Sequence, residues 1–190
     1  MTNPTKRLLR SVAVALFLGA ALSALAMAPV TGSISFNGTP VFDNSDIANA
    51  HSFTALNNAT VNPGEQFGSY ATIPDNTAAA FTPFTFVPAT IPVSPLWQLT
   101  YNGVTYSFDA TSMNPVYDSG IWNFDGTGIA HVTGFDDTAG TWSMHAFGIG
   151  ESYSFSFASA VPEPSASALM LVALAGALGL RWRSRPRPDR

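Results

Sequence analysis

The chain has 190 residues, 12% of them aromatic and 11% charged, with a formal net charge of −4 and no cysteine. All eight Lys and Arg side chains lie before Ser11 or after Leu180, so residues 27–160 carry ten carboxylates, no Lys or Arg, and a net charge of −10. A body without cations cannot displace counterions from a phosphate backbone, which excludes nucleic acid as a partner, and the lack of cysteine removes thiol catalysis, thiolate metal sites and disulfides.

In chain order, residues 1–26 read as a secretory signal peptide. Lys6, Arg7 and Arg10 form its positive region and Val12–Leu22 its apolar stretch. Ala24-Leu25-Ala26 supplies the small residues that signal peptidase requires, which places cleavage after Ala26. A cut after Ala28 would put Pro29 at the scissile bond, where the fixed φ and missing N–H fit poorly.

Residues 27–160 have strand composition. This stretch holds thirteen Phe, five Tyr and three Trp but only three Leu, with abundant Thr, Ser and Val. Ser33-Ile34-Ser35-Phe36, Thr105-Tyr106-Ser107-Phe108 and Ser152 to Phe157 alternate strictly, and Trp97, Leu99 and Tyr101 share a face opposite Gln98 and Thr100. Asn102-Gly103 predicts a type I′ hairpin; Asp125-Gly126 and Ala139-Gly140 predict further turns. Pro83, Pro88, Pro92 and Pro95 predict an edge strand or an irregular connection. The expected fold is all-β, with eight to ten short antiparallel strands packed as a sandwich or jelly-roll-like pair of sheets.

Candidate chemistry in this body is sparse. If Phe135–Gly140 is a hairpin loop, His131 and His145 face each other across neighbouring strands and point outward. Two histidines can start a zinc or copper site, though such a site normally takes a third ligand. Asp136 and Asp137 beside them, Asp125, and the Asp43-Asn44-Ser45-Asp46 cluster offer oxygen ligands for a structural calcium ion. The same residue types also simply build turns, and no cofactor is otherwise expected. Ten carboxylates give no specific glycosidase pair, no Gly-x-Ser-x-Gly elbow occurs, and the body reads as non-enzymatic. Trp97, Trp122 and Trp142 are the candidate sugar-stacking rings, with Trp97 and Trp142 placed by alternation on apolar faces.

Residues 161–190 reverse the order of the signal peptide. Val161-Pro162-Glu163-Pro164 precedes an apolar segment, 165–180, and a basic tail, 181–190, that contains Arg181, Arg183, Arg185 and Arg187. As a helix, Ala166–Leu180 reaches about 22 Å, short of the roughly 30 Å hydrocarbon core unless the bilayer thins or the arginines snorkel. Basic residues at both chain ends place both termini in the cytoplasm and the acidic body beyond it.

This arrangement resembles the PEP-CTERM sorting signal of Gram-negative bacteria over Val161 to about Arg187. The resemblance implies recognition by an exosortase, cleavage near the motif, and release or attachment at the cell surface, often where exopolysaccharide is made. Prolines 162 and 164 withhold N–H groups and keep the motif extended outside the helix, accessible to another protein. More loosely, Gly126 to Trp142 is similar to the closing hairpin of small PEP-CTERM surface proteins.

The sequence therefore describes an exported surface or extracellular-matrix protein, transiently anchored in the inner membrane through its C-terminal helix. A carbohydrate-binding module for extracellular polysaccharide and a secreted hydrolase are the rival readings. Complete digestion of the denatured chain with a Lys/Arg-specific protease should leave a fragment uncut between Ser11 and Arg181. Mass spectrometry of that fragment checks the charge map, and any internal cleavage contradicts it.

Overall fold

The computed structural model describes residues 27–148 and 150–159. The signal peptide with Ala24 and Ala26, the sorting motif, the apolar segment and the arginine tail lie outside the described residues. Among the described residues no helix is long and apolar enough to cross a membrane.

Nine strands follow one another: β1 (Ser33–Phe42), β2 (Phe53–Gln66), β3 (Ala80–Phe81), β4 (Val93–Tyr101), β5 (Val104–Ala110), β6 (Asn114–Asp118), β7 (Ile121–Val132), β8 (Thr138–Ala146) and β9 (Tyr153–Ser159). Two single-turn 3₁₀ helices, Ile47–Asn49 and Gly68–Tyr70, sit in the connections. All pairings named between strands are antiparallel, in the order β2-β1-β9-β8-β7-β5-β4-β3, and β6 continues along β7 beyond the end of β5.

The all-β, antiparallel expectation holds, but the two-sheet sandwich does not. One sheet curls until its outer edges approach. Val61 N–H donates to Thr77 O (2.9 Å), Ala79 N–H to Ala59 O (2.9 Å), Phe53 N–H to Phe84 O (2.9 Å) and Phe86 N–H to His51 O (2.8 Å). These bonds knit β2 to the chain around β3, so the sheet is nearly closed into a barrel and its edge groups are largely paired. Alternation could not separate the two architectures, because it marks which face is buried and both bury one face.

The inward face is aromatic. Phe36, fully buried, meets Phe81, Trp97 and Phe155 at ring-centroid distances of 5.4, 4.9 and 6.1 Å. Towards the other end, Phe53 meets Phe84, Phe86 and Phe124 at 5.0, 5.1 and 5.5 Å. Most of these pairs are tilted or edge-to-face, the geometry that ring quadrupoles favour. Burial also holds the Tyr70 and Tyr153 hydroxyls neutral, far above the usual tyrosine range.

Asn102-Gly103 makes the expected hairpin: both residues have positive φ (49° and 77°) and Tyr101 pairs with Val104. Of the two expectations for the proline-rich stretch, the irregular connection is found: Pro83, Pro88 and Pro92 lie between β3 and β4, and Pro95 falls inside β4 at a break in its register with β5 between Val93 and Trp97. Two turns are corrected. Asp125-Gly126 lies inside β7 and Ala139-Gly140 inside β8; the real turns are Ser119-Gly120 and the loop from Thr133 to Asp137.

The reason is packing. A Cβ on Gly126 would sit 2.5 Å from the Trp142 indole nitrogen; on Gly128, 2.3 Å from the Phe108 ring; on Gly140, 2.3 Å from the Phe157 ring. These glycines leave room for rings lying across the strand, a strand use of glycine and not a turn use. Gly128→Ala should therefore cost about 2–3 kcal/mol by overpacking, whereas Gly103→Ala, with open space but positive φ, should cost about 1 kcal/mol. Urea unfolding of the two variants tests the ordering.

Candidate functional site

Outward-facing positions of β5, β7 and β8 carry Asp109, Asp125, His131 and His145, and serines and threonines line the outer face of β1 and β9 beside them. Register sets their neighbours. Ser35 pairs with Ser156, Ser156 with Ser143, and Ser143 with Asp125, so one row of small polar groups crosses four strands. With Ser33 and Thr141 these residues line a shallow groove of about 580 Å³. Its only strong hydrogen-bonding charge is Asp125.

The two histidines do not meet. β7 and β8 pair from Trp122↔Ala146 to Ala130↔Thr138, which puts His145 opposite Asn123 and leaves His131 at the other end of the hairpin. The expected facing pair needed a loop at Phe135–Gly140, whereas β8 already begins at Thr138. His145 Nδ1 lies 2.7 Å from the Asn123 side-chain oxygen.

His131 has a richer setting. Its Nδ1 lies 2.7 Å from Asp137 Oδ1 and its Nε2 lies 3.4 Å from Asp109 Oδ2. β5 brings Asp109 and Ser107 to this ring, with Ser107 directly across from it, while the β7–β8 loop brings Asp137. Asp137 of the sequence-derived metal set thus joins His131, but His145 does not. Asp136 is tied differently, its N–H donating to Ala28 O at 3.0 Å. The carboxylates address opposite nitrogens of one ring and leave no shared centre. Among the described residues no group of three His, Cys, Asp or Glu side chains is arranged to hold a metal ion.

The Asp43–Asp46 cluster is a pair of turn caps. The Asp43 carboxylate accepts the His51 N–H (2.9 Å) and the Ser52 hydroxyl (2.9 Å); Asp46 accepts the Ala48 N–H (3.2 Å) and an Asn49 amide N–H (2.8 Å). Its oxygens are thus engaged by the protein, in the role that Asp and Asn play in turns generally. Asp75 does the same for the β2 end, accepting the Gly64 N–H (3.0 Å) and the Gln66 amide (2.6 Å).

All three tryptophans of the body face inward. Trp97, Trp142 and Trp122 are 0%, 3% and 6% exposed. Trp97 and Trp142 follow the alternation. Trp122, the ring with the best claim to an exposed sugar platform in the sequence, instead packs on Phe86 at 4.7 Å and donates its indole N–H to Ile47 O at 2.7 Å. None of the three offers a stacking face to solvent.

Asp109 was missed by sequence reasoning. Alternation placed it outward on β5, but only the β5–β7 register reveals that it reaches His131.

Residues 160–185 match the family model of the PEP-CTERM protein-sorting motif, in agreement with the resemblance read from Val161-Pro162-Glu163-Pro164 and the segments behind it. The match begins immediately after β9 ends at Ser159. No curated protein and no solved structure is detectably similar to the chain.

Hydrogen bonds from the His51 N–H hold the Asp43 carboxyl below the ordinary carboxylate range, and the Gln66 amide and Gly64 N–H do the same for Asp75. A depressed folded-state pKa means these caps stabilise the fold above the ordinary carboxylate pKa, and the contribution is lost as pH falls through the lowered values. Melting temperature should accordingly be level near neutrality and fall below about pH 4. The Asp43→Asn/Asp75→Asn double variant should show a shallower acid fall; an identical profile would show that these carboxylates do not couple to folding.

Proposed function

We propose that the chain is an exported, non-enzymatic protein of the cell surface or extracellular matrix, delivered by the signal peptide at residues 1–26. It is then sorted through residues 161–190 by an exosortase-type processing enzyme, with structural or interaction work left to the barrel. One observation carries this reading: the PEP-CTERM sorting-motif match at residues 160–185, starting one residue after the last strand. In this reading the Pro162-Glu163-Pro164 strip is gripped by the processing enzyme while 165–180 holds the chain in the inner membrane. Arg181, Arg183, Arg185 and Arg187 keep that segment's far end cytoplasmic.

The barrel's chemistry supports an interaction role over a hydrolytic one. A hydrolase needs a nucleophile or activated water, a base and a stabilising donor set converging on one point; the groove offers the Asp125 carboxylate as a base but no Lys, Arg or His side chain in its lining to stabilise developing charge. A carbohydrate-binding role loses its tryptophan platforms to the core and would need a different surface.

In the native host, the mature protein should be found outside the inner membrane, shortened at both ends. The first cut falls after Ala26 and the second close to Val161–Pro164. Deletion of 161–190 should leave a chain that is exported yet absent from the surface fraction. Cell fractionation with mass spectrometry of the termini reads both cuts; an intact chain in the cytosol would overturn the proposal.

A further inference from the structure

The dipeptide Asn-Gly occurs twice in the chain, at Asn37-Gly38 in β1 and at Asn102-Gly103 between β4 and β5. It carries a reactivity of its own. The side-chain carbonyl carbon of an asparagine and the backbone nitrogen of the next residue can close a five-membered ring, an intramolecular reaction favoured by proximity. Glycine as the next residue puts no side chain in the path and turns freely about its own backbone. Whether the ring closes then depends on how firmly the fold holds that one peptide group.

The two sites differ in this respect. β1 runs between β2 and β9, and Asn37 pairs with Thr60 on one side and Ser154 on the other. Gly38 pairs with Tyr153, and a Cβ placed there would lie 2.6 Å from the Tyr153 ring and 2.7 Å from Asn57 O, so the peptide has no room to turn. The Asn37 side-chain oxygen also accepts the Thr60 hydroxyl at 2.9 Å. At the other site both residues are exposed, and a Cβ on Gly103 would meet nothing within 4 Å. Tyr101 and Val104 close the ladder behind them, and the Gly103 N–H has no backbone partner among the described residues. Exposure does not separate the sites, since Asn37 is exposed too. The pairing does.

We propose that Asn102 is a site of spontaneous hydrolytic deamidation and that the fold protects Asn37 from the same reaction. The Gly103 nitrogen attacks the Asn102 side-chain carbonyl carbon. That bond forms, the bond to the side-chain nitrogen breaks, and this nitrogen leaves as ammonia with the Gly103 proton. Water then opens the cyclic imide. Opening at the former side-chain carbonyl gives aspartate; opening at the former main-chain carbonyl gives isoaspartate, whose main chain runs through the side chain and is one carbon longer. Aspartate keeps a favoured hairpin pair, Asp-Gly. Isoaspartate lengthens a loop whose size fixes the β4–β5 register, so the two products differ in effect. Either one adds a carboxylate to a body that already carries ten and no Lys or Arg. The inference goes beyond the proposed function and does not depend on how the chain is sorted.

The purified full chain would be aged in mildly alkaline buffer, both folded and in guanidinium chloride, then digested with a protease that cuts after Asp and Glu. Asn37 lies before the cut at Asp43, and Asn102 between the cuts at Asp75 and Asp109, so mass spectrometry reads the two sites separately. Aspartate at position 102 adds a cut that isoaspartate refuses, which distinguishes the products. In the folded chain Asn102 should convert about thirtyfold faster than Asn37, the factor that opening two ladder hydrogen bonds imposes. In guanidinium the two rates should converge. Asn102→Gln, which keeps the amide but not the five-membered ring, should abolish conversion at this position on the same time course. The Asn102→Asp variant should melt with the parent chain, and the isoaspartate fraction below it. Equal rates at Asn37 and Asn102 in the folded chain, conversion of Asn102 in guanidinium alone, or an isoaspartate fraction that melts with the parent would each overturn the assignment.

Discussion

The structure depends on how one sheet fills its own interior. A curled sheet has no second layer to pack against, so side chains projecting inward from facing strands must meet at the density of an ordinary protein core. Here phenylalanine, tyrosine and tryptophan span that space, and the backbone yields to them. The ring of Tyr153 lies over Gly38, Trp142 over Gly126, Phe108 over Gly128 and Phe157 over Gly140. Each pair exchanges one missing side chain for one oversized one. Glycine in the strand sharpens the bend, and the ring covers the backbone that glycine exposes. Strand curvature and core composition are thus two aspects of one arrangement.

An interior this apolar relieves the surface of electrostatic work. Burial of aromatic area dominates folding energetics in small domains, and exposed ion pairs contribute little in most proteins. A body with ten carboxylates and no Lys or Arg is therefore not deprived of its main stabilisation. It does need other partners for its acids, and the backbone supplies them: Asp43, Asp46 and Asp75 accept main-chain N–H groups at 2.9, 3.2 and 3.0 Å. His131 stands as the exception, because it is the one base among the described residues held against carboxylates on both sides. In a cation-poor surface such a group is conspicuous for its chemistry as well as its charge.

How much of this was legible in the sequence follows from the range of each signal. Local signals were faithful. Alternation located the strands around Phe36, Phe108 and Phe157 and their inward faces, and the Asn102-Gly103 turn needed only two residues to declare itself. Signals with two causes misled: Gly126 and Gly140 have the same letter whether they open a turn or lie under a ring, and only the Trp142 and Phe157 partners across the sheet distinguish these. The site was legible in pieces, with His131 and Asp137 six positions apart in the chain and within the reach of a short loop. Asp109 was not, because its approach depends on β5 and β7 pairing around the whole of β6. The choice between sandwich and barrel was likewise set by contacts such as Phe53 N–H to Phe84 O, which no local pattern encodes.

Topology also joins the barrel to the signal that follows it. β9 lies between β1 and β8, pairing Ser33 with Ala158 on one side and Gly140 with Ser159 on the other. Ser159 binds Gly32 O through both its N–H (2.9 Å) and its hydroxyl (3.0 Å). The last strand is therefore central to the sheet order and not an edge addition. Until it arrives, β1 and β8 each present an unpaired row of backbone groups, an exposed state that native sheets avoid. The sorting-motif match starts at the next residue, 160. A barrel that needs residue 159 in its central last strand cannot close until the chain is present up to the point where the sorting-motif match begins, so completion of the fold and the start of the motif are adjacent in the sequence.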